Sequence, residues 1–183
     1  ITNTDYEIQY RDIIQSCLSD EAVYREDRTG VGCYSVFNKQ IDIEVGNKFP
    51  VITGRKMFPK VFNTEMQWFL NGETNIARFK KAGVKIWDAW ADEDGELGPV
   101  YGHQLRNFSG RGYDQLESVI DSLKNDPDSR RHVISLWNPV QLEYMALPPC
   151  YLYFQFFVFL FLVPLYLLYH FLTHKNKKMS KYY

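Results

Sequence analysis

The chain has 183 residues, 45% hydrophobic and 16% aromatic, enough for about one domain with a sizeable core. Its 21 basic and 22 acidic residues nearly cancel, which excludes the basic excess expected of a nucleic-acid binder. Three widely spaced cysteines, Cys17, Cys33 and Cys150, exclude a disulfide framework and a zinc-type cluster, so no metal is expected. Residues 1–10 are polar and mixed, without the apolar run of a secretory leader, and a reducing cytoplasm is the expected location.

Along the chain, Ile8, Ile13, Ile14, Cys17 and Leu18 recur at helical spacing and predict an amphipathic helix over residues 3–19. Residues 24–30 are charged, end in Gly30 and predict a loop. Residues 33–37 and 40–45 read as two short strands. Val61, Phe62, Met66, Phe69 and Leu70 line one side of a helix that Gly72 stops. Asn75 and Gly83 then bracket a second, short helix. Residues 86–106 are rich in Trp, Asp, Gly and Tyr without a clean period, and predict a long structured loop. Leu116, Val119, Ile120 and Leu123 predict a helix over residues 113–124, and residues 132–137 and 151–158 predict strands. Strands and helices alternate unevenly, so the fold class is α+β.

Several residues could carry chemistry. Cys150 follows Pro148 and Pro149, whose fixed φ angles hold it rigidly, and a thiol presented this way is a candidate nucleophile. A lone cysteine at a strand start also reads as a small buried hydrophobe. Arg28, Arg130 and Arg131 offer guanidinium forks suited to a phosphate, or are solvated loop charges paired with Asp27 and Asp128. Glu65 lies in an otherwise apolar helical stretch, where burial would raise its pKa for acid–base work; its polar neighbours Asn63, Thr64 and Gln67 equally suit an exposed position. Trp87, Trp90 and Tyr101 could wall a flat heteroaromatic ligand or sit in the core.

The order of these signals resembles the thymidylate synthase family. The resemblance is carried by Arg28-Thr29-Gly30, by the stretch from Glu65 to Asn75 (Glu-Met-Gln-Trp-Phe-Leu-Asn-Gly-Glu-Thr-Asn), and by Ile86-Trp87-Asp88-Ala89-Trp90. It continues in Gly98-Pro99-Val100-Tyr101-Gly102, Asp128-Ser129-Arg130-Arg131, Ala146-Leu147-Pro148-Pro149-Cys150 and on to Val158. The resemblance implies a mixed sheet with flanking helices and reductive methylation of deoxyuridylate with 5,10-methylenetetrahydrofolate as co-substrate. It implies Cys150 as nucleophile, Glu65 as manager of protons at the pyrimidine, and Tyr101 in the substrate site. Ile86, Trp87 and Trp90 would face folate, and Arg28 would hold the nucleotide phosphate. Arg130 and Arg131 would reach into the partner's site of a homodimer.

The chain departs from the family pattern in three places. Tyr151 stands where the family usually has His, and Leu105 where it usually has Trp. Beyond Val158 the family's phosphate-binding Gln-Arg-Ser and its later pyrimidine- and ribose-binding residues are not found. The expected organisation is therefore an incomplete synthase-like domain over residues 1–158 and an atypical tail over residues 159–183, apolar and then rich in lysine. The first rival activity is a deoxyuridylate or deoxycytidylate hydroxymethylase. The second is a non-catalytic fragment, with residues 151–172 long and apolar enough to cross a bilayer. The strand-like start of that run argues against the membrane.

Overall fold

The computed structural model describes residues 5–27, 30–45 and 49–158. The chain divides into two compact units, Ile1–Pro59 and Lys60–Tyr183.

In the first unit, helix α1 spans Tyr6–Cys17, as its apolar spacing predicts. The Asp5 carboxylate caps it, accepting from the backbone N–H of Glu7 and Ile8 at 3.0 and 3.4 Å. Side chains of α1 tie down the later backbone. The Gln9 side chain both donates to the Asp42 carbonyl and accepts from its N–H, at 2.9 and 2.8 Å. The Tyr6 hydroxyl does the same at Val51, at 2.8 and 2.9 Å. Residues 40–45 are therefore held by a helix and form no strand, contrary to the sequence expectation. Strand β2, Cys33–Ser35, pairs antiparallel with β1, Val23–Arg25, in the register Val23↔Ser35, Tyr24↔Tyr34 and Arg25↔Cys33. The start of the expected loop 24–30 is thus a strand, stabilised by a partner that the local charge pattern does not reveal. Gly32, just before β2, has a φ of 76° and lies against the Tyr24 ring, which suits a residue without a side chain.

The second unit carries α2 (Pro59–Leu70), α3 (Ala77–Ala82), α4 (Tyr101–Arg106), α5 (Gln115–Asn125), β3 (Val133–Ser135) and β4 (Tyr153–Gln155). Helix α3 ends at Gly83 in the left-handed region, and the Asn75 side chain accepts from the Ala77 N–H at 2.9 Å. Helix α5 is capped by Asp114, which accepts from the Glu117 N–H at 2.9 Å. Helix α4 falls inside the stretch expected to be a loop. Six residues are too few to show a period, and tertiary packing stabilises it: any side chain at Gly102 would strike the backbone of Gly72 and Glu73 at the end of α2.

Strands β3 and β4 pair antiparallel, Val133↔Gln155, Ile134↔Phe154 and Ser135↔Tyr153. Bonds from the Leu136 N–H to the Leu152 carbonyl and from the Phe156 N–H to the His132 carbonyl, at 2.8 and 2.9 Å, extend the pairing. The described sheets are two antiparallel pairs, one in each unit, and with the helices they make an α+β arrangement; the resemblance implied a mixed sheet. The core is built on Trp68, Phe79, Leu97, Ile134 and Leu136, all essentially inaccessible to solvent. Leu105, in place of a family Trp, is buried among them and serves packing. Residues 153–155 are a strand, so a membrane-crossing helix does not begin at residue 151; the tail 159–183 lies outside the described residues. Among the described residues no helix is long and apolar enough to cross a membrane.

Candidate functional site

The site gathers on the second unit where α2, α4 and the approach to β4 meet. Glu65 sits midway along α2, one turn before the buried Trp68 and Phe69, and is half-buried. The Trp87 indole N–H donates to its carboxylate at 3.0 Å. Burial pushes the Glu65 pKa above the ordinary carboxylate range and outweighs the opposing bond from Trp87. The rise follows from partial burial, as expected for a carboxyl in an apolar helix stretch.

Tyr101 opens α4, and the close approach at Gly102 presses that helix onto the end of α2. Its ring stacks on Phe69 with centroids 4.6 Å apart and planes inclined by 28°. The Trp87 ring lies 6.1 Å away, edge-on. The Tyr101 hydroxyl accepts a hydrogen bond from the Cys150 N–H at 2.9 Å. Burial raises the pKa of this phenol, the bond from the Cys150 N–H opposes that rise, and the charges of the Cys150 and Tyr151 side chains add to it. One hydroxyl therefore anchors the Cys150 peptide.

Cys150 itself is exposed, while Pro149 before it is buried. The reading of this cysteine as a small buried hydrophobe is thus incorrect: the thiol stands at the surface next to the buried Pro149. Tyr151 follows, its ring 5.8 Å from that of Tyr101 and 6.3 Å from that of Phe69. Burial raises the Tyr151 pKa, and nearby Glu65 and Cys150 add to the shift. Glu65, Trp87, Tyr101, Cys150 and Tyr151 form one neighbourhood.

The other expected residues lie around it or apart from it. Trp87 is nearly buried, packed 5.9 Å from the Trp68 ring, so it is a core residue that also touches the site. Trp90 is half-buried against the core, and Ile86 is 43% exposed. Arg130 and Arg131 are exposed just before β3, and among the described residues neither forms an ion pair. Their expected pairing with Asp128 is not seen. Arg28 lies outside the described residues. Among the described residues no group of His, Cys, Asp and Glu is arranged to hold a metal ion. Sequence reasoning missed Phe69 as part of the site. Its place on the apolar side of α2 marked it as core, and its contact with Tyr101 arises between elements far apart in the chain.

The exposed Cys150, the half-buried Glu65 and the rings of Phe69, Trp87, Tyr101 and Tyr151 thus share one neighbourhood on an α+β scaffold. The family model described as thymidylate synthase matches residues 8–173, and the chain belongs to the thymidylate synthase family. That span includes every element of the site and runs on past Val158, where the motif-by-motif resemblance stops. Membership places the chain among transferases of thymidylate synthesis, methyltransferases by class.

Proposed function

We propose that the chain methylates deoxyuridylate to thymidylate with 5,10-methylenetetrahydrofolate, through a covalent adduct on Cys150. The observation that carries this reading is the exposed Cys150, its peptide held by the Tyr101 hydroxyl in the same neighbourhood as the Glu65–Trp87 pair. The Cys150 thiolate adds to C6 of the pyrimidine, and the C5=C6 electron pair moves toward C5 and O4. This makes an otherwise unreactive C5 nucleophilic. Tyr101 holds the Cys150 peptide in place for this attack. Glu65, with its raised pKa, exchanges protons at the pyrimidine without a large energetic cost in either state.

The folate would rest against Ile86, Trp87 and Trp90, an exposed aliphatic side chain and two indoles that suit a flat pterin. When bound it supplies the one-carbon unit and the hydride. Arg28 takes the nucleotide phosphate. Arg130 and Arg131 extend into the site of a second copy, and their exposed, unpaired side chains support that reading.

The test is product formation. Purified protein with deoxyuridylate and methylenetetrahydrofolate should yield thymidylate by chromatography, Cys150→Ala none, and Glu65→Gln a rate at least ~100-fold lower, the usual worth of a positioned acid–base group. Thymidylate formation undiminished in Cys150→Ala would overturn the reading. Release of a 5-hydroxymethyl nucleotide would identify a hydroxymethylase.

A further inference from the structure

We propose that Tyr151 is a positioning residue for Cys150, acting through its ring rather than its hydroxyl: it closes an aromatic triangle with Phe69 and Tyr101 that fixes the hydroxyl holding the Cys150 peptide. This deepens the proposed function and rests on the reading of Cys150 as the nucleophile.

The three rings make all three mutual contacts. Phe69 and Tyr101 stack at 4.6 Å, Tyr151 meets Phe69 edge-on at 6.3 Å, and Tyr151 meets Tyr101 at 5.8 Å, inclined by 59°. Phe69 and Tyr101 are each only 4% exposed, so two corners are fixed by the core. Tyr151 is 51% exposed, and its ring is the outer wall that keeps Tyr101 from swinging toward solvent. Tyr101 is thus gripped between a buried ring and a surface ring, and its hydroxyl stays within 2.9 Å of the Cys150 N–H. Tyr151 is also the next residue after Cys150, so the contact braces the same peptide segment from both sides. No hydrogen bond made by the Tyr151 hydroxyl is found among the described residues, which places the effect in the ring. Burial and the proximity of Glu65 and Cys150 keep that hydroxyl protonated, so it adds no negative charge beside the thiol. Tyr101 from α4 contacts Cys150 directly, and Tyr151, the next residue, lies near both Cys150 and Glu65 of α2.

The half-exposed position also makes the inference testable, because replacing Tyr151 removes little buried area. The readout is the alkylation rate of Cys150 by iodoacetamide, followed by peptide mass as a function of pH. It needs neither nucleotide nor folate, so its failure is distinguishable from a failure of the assigned reaction. Tyr151→Phe keeps the ring and should match the parent at every pH. Tyr151→Leu should slow alkylation about fivefold at neutral pH, the order expected for loss of the one hydrogen bond that positions the Cys150 peptide. Tyr101→Phe, which keeps all three rings, should reproduce the Tyr151→Leu profile. A slowed Tyr151→Phe, or an unchanged profile in Tyr151→Leu or Tyr101→Phe, would overturn the inference.

Discussion

Replacing Trp87 by Phe isolates the electrostatics of Glu65. Phe preserves most of the ring packing against Trp68 and Tyr101 but removes the indole N–H, whose bond to the carboxylate is 3.0 Å long. In the parent, burial raises the Glu65 pKa and the Trp87 bond partly offsets that rise. The variant keeps the burial and loses the offset, so the pKa must climb further. A hydrogen bond to a charged group contributes about 1.5–3 kcal/mol when well buried. Glu65 is half-buried, so solvent screening leaves roughly 1 kcal/mol, about fivefold in proton affinity. The sign for stability follows. Because folding raises this pKa, the native state binds the proton more tightly than the unfolded chain. Stability from this group is therefore fully present below the ordinary value of 4.5 and declines as pH rises through the folded value. In Trp87→Phe the decline should extend to higher pH. Carboxyl NMR of protein labelled at Glu, with Glu65→Gln to assign the resonance, follows the titration directly. A Glu65 midpoint that stays put or moves down in Trp87→Phe would refute the reasoning.

Three further outcomes follow from the packing. Trp68→Ala removes a side chain with no solvent exposure and leaves the Asn75 carbonyl without its 3.0 Å donor, so urea unfolding should show a loss of about 3–5 kcal/mol. Gly102→Ala drives a methyl group into the backbone of Gly72 and Glu73. It should cost about 1–3 kcal/mol, seen as a fall in Tm, and should slow Cys150 alkylation because Tyr101 sits on the displaced helix. His103 has a pKa below its ordinary 6.5, because burial disfavours the imidazolium, and its Nε2 has no partner among the described residues. The unfolded chain takes up that proton more readily, so stability from this group is present above 6.5 and falls as pH drops below it. His103→Gln should lose less than the parent between pH 7.5 and 5.5 in urea midpoints.

Helices α1, α2 and α5 were legible in the sequence because their apolar residues recur at helical spacing, although α1 buries none of them, and α3 because Asn75 and Gly83 punctuate it. Helix α4 was not, since Tyr101–Arg106 holds a glycine and no period; its fit against the Gly72–Glu73 turn depends on a different segment. Strand β1 was hidden for the same reason: residues 23–25 look like charged loop until Cys33–Ser35 folds back on them. The strand-like pattern of residues 40–45 misled in the opposite sense, because Gln9 of α1 satisfies the Asp42 backbone instead of a neighbouring strand.

The site was legible through the order of its motifs rather than through any single residue. Glu65 meets Trp87 across 22 positions and Tyr101 meets Cys150 across 49, separations over which local patterning carries no information. That is also why composition alone favoured a buried Cys150. Only the buried Pro149 and the Tyr101 hydroxyl hold the segment that presents the thiol outward. Tyr151 stood out in the sequence as a departure from the family pattern, but its use as a brace emerges only with the ring geometry around Tyr101.

Covalent trapping tests the central claim most directly. Protein mixed with 5-fluorodeoxyuridylate and methylenetetrahydrofolate is examined by intact mass, beside Cys150→Ala. The account predicts a ternary adduct that maps to Cys150 and is absent from the variant. Folded protein that binds both molecules yet forms no adduct, or an adduct that persists in Cys150→Ala, would contradict it.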